Sequence, residues 1–258
     1  MTQKKQNSYK SSKSGPNQKP MGLSSKKSRK PGLRGVHRKP EKVFDFHEAD
    51  DRIYDIFKHH GFGDYPHEKR HQLVRFYQLL MTHQQSDNVT RLLKLRDIAI
   101  KHFIDCLMVT RLIKLTFPVL DMGTGPGFPG IPLKIHFPDE PMVLVEGVEK
   151  RVQFLKTVRE NLGLQKLDLI GRYVTPQFNY PVPTVITRAV AKVSDTLGQV
   201  INCLPSGGQL VLMKGPHVGD ELMTAMNEWK AHYKLIKDHY YEIPSTPHQR
   251  RLVVIEKK

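Results

Sequence analysis

Val119-Leu-Asp-Met-Gly-Thr-Gly-Pro-Gly-Phe-Pro-Gly130 is the stretch on which the fold turns. A short apolar run ends in Asp121, and glycines follow at 123, 125, 127 and 130. Glycine lets the backbone bend sharply and approach a ligand with no Cβ in the way. A strand that ends in such a loop and passes into a helix aims backbone N–H groups and the positive helix end at one crevice. In open α/β sheets that crevice lies at the carboxyl ends of the strands. Gly125, Gly127 and Gly130 alone satisfy G-x-G-x-x-G, which also admits a nicotinamide-dependent oxidoreductase. A turn serving only helix–strand packing is the plainer alternative.

Downstream, the pattern alternates. Strands are predicted over 117–121, 141–146, 166–171, 183–187, 208–213, 233–242 and 250–256, with helices over 130–137, 149–162, 192–203 and 218–230. Such alternation implies a parallel sheet covered on both faces. The last two strands are separated by a loop too short for a crossover, so they are expected to form an antiparallel pair. The expected architecture is therefore α/β, a Rossmann-like class I S-adenosylmethionine-dependent methyltransferase fold. Its seven-stranded, mostly parallel sheet ends in a C-terminal antiparallel hairpin. Glu146 closes the second strand, at the right distance to accept hydrogen bonds from a ribose diol. Two details favour S-adenosylmethionine over a nicotinamide: Asp121, placed to face the cationic methionine moiety, and the C-terminal hairpin.

Upstream, helices are predicted over 46–60, 66–84 and 95–115, where apolar residues such as Leu73, Phe76, Tyr77 and Leu80 recur at helical spacing. The expected domains are a disordered basic tail over 1–42, an N-terminal helical subdomain over 43–115 and the Rossmann-like domain over 116–258. Of a net charge of +16, the first 42 residues hold +12: thirteen Lys and Arg against Glu41 alone. That tail is rich in Ser, Gly, Pro and Gln and nearly free of large apolar residues, so it has little to bury. It reads as a polycation that tracks phosphate backbones. Cys106 and Cys203 stand far apart, with no disulfide framework, which fits a reducing compartment. His59, His60, His67, His71 and His239 have no cysteine partners, and no metal site is expected. No apolar run is long enough to span a bilayer and the first thirty residues lack an apolar core, so neither membrane nor secretory signal is expected and the cytoplasm is the expected location.

Several ordered motifs then converge. Asn88-Val-Thr90, Lys101-His-Phe-Ile-Asp-Cys106, the loop from Asp121 to Pro132, Lys150-Arg-Val-Gln-Phe-Leu155, Thr187-Arg-Ala189, Met213-Lys-Gly215 and the final Arg250-Arg-Leu-Val-Val-Ile255 follow one another. In that order and spacing the chain resembles the RsmG (GidB) family, bacterial methyltransferases for guanine N7 in 16S, small-subunit ribosomal RNA. The resemblance implies S-adenosyl-L-methionine as cofactor and small-subunit ribosomal RNA, or the assembling subunit, as partner. It implies cofactor contacts at Gly123, Phe128, Tyr173, Val174 and Arg188, beside those read at Asp121, Gly125, Gly127 and Glu146. Val174 stands where the family usually has a glutamate, and Glu146 where it usually has aspartate.

Guanine N7 has a free lone pair at neutral pH, so no general base is required. No catalytic residue is therefore assigned. Arg188, Lys214, His102 and Asp105 are the candidates for orienting the substrate; the plainer alternatives are a structural ion pair for Arg188, a surface or capping residue for Lys214, and a tie between the helical subdomain and the sheet for His102 and Asp105. Lys150 and Arg151, opening a helix, are candidates for phosphate contacts or for a solvated helix face. The competing reading is a catalytically impaired, RNA-binding ribosome assembly factor that keeps the fold. Oligomeric state is not legible. Removing residues 1–40 is expected to weaken RNA binding and flatten its salt dependence; unchanged affinity at low salt would reject a role for the tail.

Overall fold

The structure, a computed structural model, describes residues 38–40, 42–188 and 191–258. The expected tail over 1–42 lies almost wholly outside the described residues. The helical part opens with α1 (Phe46–His59), whose first turn is capped by the Asp45 carboxylate accepting the Glu48 N–H at 2.9 Å. α2 (His67–Ser86) follows Pro66, and its Leu73, Phe76, Tyr77 and Leu80 are all fully buried. The third helix is less regular than its sequence suggests. It runs as α3 (Leu95–Ile98), a π-helical stretch (Ala99–Ile104) and α4 (Asp105–Leu112). It stops three residues before the expected end at 115.

The sheet contains β1 (Val119–Met122), β2 (Met142–Val145), β3 (Leu167–Ile170), β4 (Thr184–Arg188), β5 (Gln209–Lys214), β6 (Tyr233–Glu242) and β7 (Gln249–Lys257). Their spatial order is β3-β2-β1-β4-β5-β7-β6. The first five pair in parallel, and β7 runs antiparallel to both neighbours, β5 and β6. Each strand lies within two residues of its expected place. The helices after the loop are α5 (Gly130–His136), α6 (Glu149–Asn161), α7 (Val193–Gln199) and α8 (Gly219–Glu228). The last two are shorter than expected, because α7 gives way to a turn before Pro205 and α8 to one at Trp229.

Side chains alternate across each strand, and this divides the core. Val119, Met142, Leu144, Ile186, Val211 and Leu252 join α5, α6 and the helical part in one cluster. Leu120, Val143, Val185, Leu210, Leu212 and Val253 join α7 and α8 in the other. The helical segment and the sheet thus share one continuous core. Phe76 on α2 is the link: its ring centroid lies 6.0 Å from Phe103, 5.2 Å from Phe128 in the glycine loop and 6.4 Å from Phe154 on α6. Phe76→Ala is expected to cost about 3–5 kcal/mol, measured as urea unfolding free energy, and to loosen the glycine loop with it.

Candidate active site

Two adjacent strands end in carboxylates, and both carboxylates hold the glycine loop. At the end of β2, Glu146 accepts the Gly125 N–H through Oε2 at 2.9 Å and the Val148 N–H through Oε1 at 2.8 Å. Near the end of β1, Asp121 accepts the Gly130 N–H at 2.7 Å, at the first residue of α5. The Gly123 and Thr124 N–H groups bond the Val145 carbonyl at 2.9 and 3.2 Å, and the Thr187 hydroxyl donates to the Met122 carbonyl at 2.8 Å. The loop is therefore fixed to β2 and β4 before any ligand arrives.

The glycines divide by role. Gly123 and Gly125 have positive φ, 67° and 61°, and both line the crevice. A Cβ on Gly125 would meet no atom within 4 Å, so this backbone is open to a ligand. Gly127 and Gly130 face inward instead. A Cβ on Gly127 would lie 2.5 Å from Ile131, and one on Gly130 would lie 2.2 Å from Leu144. Gly127, expected at the cofactor, serves helix packing.

One hollow of about 290 Å³ is lined by Gly123, Glu146, Val148, Tyr173, Val174 and Arg188. A second, of about 270 Å³, is lined by Thr90, Leu92, His102, Gly125, Phe128 and Arg188. Gly123, Arg151 and Arg188 belong to both, so the two are halves of one cleft. Arg188 stands at the junction. It donates to the Lys101 carbonyl at 3.1 Å and to His102 Nδ1 at 2.8 Å, and lies 3.5 Å from Asp105. His102 stacks on Phe128 with ring centroids 4.2 Å apart. Burial, reinforced by the neighbouring Arg188, holds His102 well below its ordinary value, so the ring is neutral at pH 7. An Nδ1 that accepts from arginine leaves the ring proton on Nε2.

Three further expected site residues lie elsewhere. Asp121 does not face the cleft; it is fully buried beneath the loop, on the same strand face as Val119. Lys214 does not reach the cleft either. Its ammonium donates to the Ala191 carbonyl at 2.5 Å and to Glu221 on α8 at 3.2 Å. Asp105 is only 2% exposed and pairs with Arg188, Arg250 and Tyr241, tying the helical part to the sheet. Lys150 is exposed and bonded to Asp87 at 2.7 Å, whereas Arg151 turns into the cleft, 3.6 Å from Glu146.

The residue reading missed the far wall, Val89–Leu92. Gln84 Oε1 accepts both the Val89 and Thr90 N–H groups at 2.9 Å and fixes that wall to α2. Its one signal is the Asn88-Val-Thr90 motif. Far from the cleft, His67-Glu-Lys-Arg-His71 has H-E-x-x-H spacing, and donor atoms of Asp50, His67 and His71 lie within 4.8 Å of one another. Both Asp50 oxygens already accept from Arg70, at 2.8 and 3.1 Å, with His71 at 3.2 Å. The cluster thereby acts as an ion-pair network joining α1 to α2.

A 3-2-1-4-5-7-6 sheet with β7 reversed, a glycine loop after β1 and an acid after β2 define a Rossmann-like, class I S-adenosylmethionine-dependent methyltransferase. The family of GidB, rRNA small subunit methyltransferase G, matches residues 69–252, and the chain belongs to that family. It is 53% identical to ribosomal RNA small subunit methyltransferase G 2 of Bdellovibrio bacteriovorus, over 86% of this chain and 88% of that protein. It is 33% identical to ribosomal RNA small subunit methyltransferase G of Desulforamulus reducens, over 71% of this chain and 80% of that one. Among solved structures, TrmN from Thermus thermophilus aligns at a TM-score of 0.48 and 18% identity, over 62% of this chain and 53% of that chain.

Burial pushes the Asp121 carboxyl up from 3.8 to about 7, against the opposing hydrogen bond from Gly130. Between those values the folded chain binds more protons than the unfolded one. Stability contributed by this group therefore falls as pH rises through the window, and the loss is complete above about 7. Asp121→Asn is expected to remove that component: the difference in unfolding free energy between wild type and variant should change from pH 4 to 7 and level off above. A constant difference would place the ionisation elsewhere.

Proposed function

We propose that this chain transfers the methyl group of S-adenosylmethionine to N7 of a guanine in 16S, small-subunit ribosomal RNA, in the cytoplasm. The observation that carries the cofactor is the bare backbone of Gly125 beside Glu146, opening on a cleft that Arg188 divides. Each Glu146 oxygen holds one amide and keeps a lone pair for a ribose hydroxyl. Tyr173 and Val174 flank the same hollow, where the adenine would lie. What supports the RNA substrate is family membership and the names of the relatives. Among the described residues no helix is long and apolar enough to cross a membrane.

Bound there, S-adenosylmethionine supplies an electrophilic methyl group. Gly125, Glu146, Tyr173 and Val174 would hold the cofactor, and Arg188 would align the acceptor nitrogen with the methyl group it supplies. No proton has to move, so no base is needed from His102, whose Nδ1 already accepts from Arg188. The chain's work is alignment and exclusion of water. Arg188, fixed by three partners, presents its remaining N–H donors to the base or an adjoining phosphate. Phe128, Pro126 and the Val89–Leu92 wall enclose the half of the cleft left for the guanine. N7 is hidden in a paired A-form helix, so the target guanine must be unpaired or extruded.

Glu146→Ala is expected to weaken S-adenosylhomocysteine binding about 10- to 100-fold by calorimetry, the worth of hydrogen bonds to a charged acceptor. Mapping N7-methylguanine in ribosomal RNA from cells with and without the protein tests the reaction, with one methylated position expected to vanish. Cofactor uptake without methyl transfer to undermethylated small subunits would instead make the chain an RNA-associated assembly factor.

A further inference from the structure

A larger cavity, about 850 Å³, lies outside the cleft, between α1 and the start of α3. Its rim carries Arg38, Lys39, Lys42, Arg52, Lys94 and Arg96 against one lining acid, Asp55. Lys42 and Arg52 share Glu48, at 2.8 and 2.9 Å. Among the described residues no carboxylate pairs with Arg38, Lys39, Lys94 or Arg96, and all four are exposed. The floor is apolar, formed by Phe44, Ile56, Leu93 and Leu95.

This groove and the cleft share a wall. Leu92 lines the cleft and Leu93 lines the groove. Gln84 also connects them: its Nε2 donates to the Arg38 carbonyl at 2.9 Å while its Oε1 holds Val89 and Thr90. A strand lying in the groove is thus led to the site where a base would react.

We infer that this groove binds the sugar–phosphate backbone of the RNA strand flanking the target guanine, an inference that rests on RNA being the substrate. Unpaired cations at the rim meet phosphates, and an apolar floor accepts sugars or base faces without reading sequence. The chain's own N-terminal segment is a poor occupant. Residues 1–37 contain ten Lys and Arg and no Asp or Glu, so their sequence carries the same sign of charge as the rim and offers it no complement. Arg38, Lys39, Lys42 and Arg52 also lie before the family match, which begins at residue 69.

The test uses the full-length protein carrying Arg38→Gln, Lys39→Gln, Lys94→Gln and Arg96→Gln together. The control carries Lys58→Gln, Lys114→Gln, Lys156→Gln and Lys230→Gln, which removes the same charge from exposed positions elsewhere. Affinity for a fluorescein-labelled, single-stranded 20-nucleotide RNA is read by anisotropy from 50 to 300 mM salt. The groove variant is expected to bind at least 10-fold more weakly at low salt. Its log–log salt slope should be shallower by about 3, near 0.7 for each of four cations. The control should keep most of the wild-type slope. Equal losses in both variants, or an unchanged slope in the groove variant, would overturn the inference. Loss of polyglutamate binding with RNA binding intact would overturn it as well, pointing to an acidic protein partner. S-adenosylhomocysteine affinity, measured in parallel, should not change. A failure of cofactor binding in the wild type would count against the proposed function and leave the groove result standing.

Discussion

A loop without side chains cannot hold itself in place, and here two carboxylates from neighbouring strand ends do it. Glu146 restrains the outer turn at Gly125, and Asp121 restrains the entry to α5 at Gly130. Strands β1 and β2 are paired with Asp121 opposite Leu144 and Met122 opposite Val145, so both acids come from the same end of neighbouring strands, Glu146 two residues beyond Leu144. Everything else in the cleft is arranged around that fixed backbone. Phe128 projects from it to receive His102, and His102 in turn receives Arg188.

The sheet was readable because its strands are short, apolar and punctuated by turns, and local pattern settles such elements. Glu146 and the glycines were readable for the same reason. Asp121 and Lys214 were misplaced by reading proximity to the loop instead of strand parity. Asp121 shares the face of Val119, which lies against α5, and Lys214 shares the face of Leu210 and Leu212, which lies against α7 and α8. Parity also explains Arg188, which shares the face of Ile186 and so turns toward the helical part. The Val89–Leu92 wall and the π-helical stretch had no comparable signal. The π-helical stretch meets Arg188 through Lys101 and His102, 86 or more residues away, which no local window contains, and the wall hangs on the Gln84 side chain, a bond that apolar periodicity does not report.

The helical part is best understood as one jaw of the site. Through Phe76 and Phe103 it is packed on the loop, through Asp105 it is bonded to Arg188, Arg250 and Tyr241, and through Val89–Leu92 it closes the cleft. Burying an acid such as Asp105 is costly unless its charge is matched, and two arginines and a phenol supply the match. The apolar and ionic contacts therefore place the same jaw against the same sheet edge. A methyl acceptor enters between parts that belong to one cooperative core, which favours a preformed pocket over one assembled on binding.

The position of β7 has a consequence for how the chain assembles. β6 pairs with β7 alone, and β7 fills the gap between β6 and β5. Until residues 249–257 exist, β6 has no ladder to join and β5 presents an open edge beside the Arg188 strand. Translation must therefore run nearly to Lys257 before the sheet can close, and a nascent chain stalled earlier exposes two unpaired strand edges that invite association with other chains.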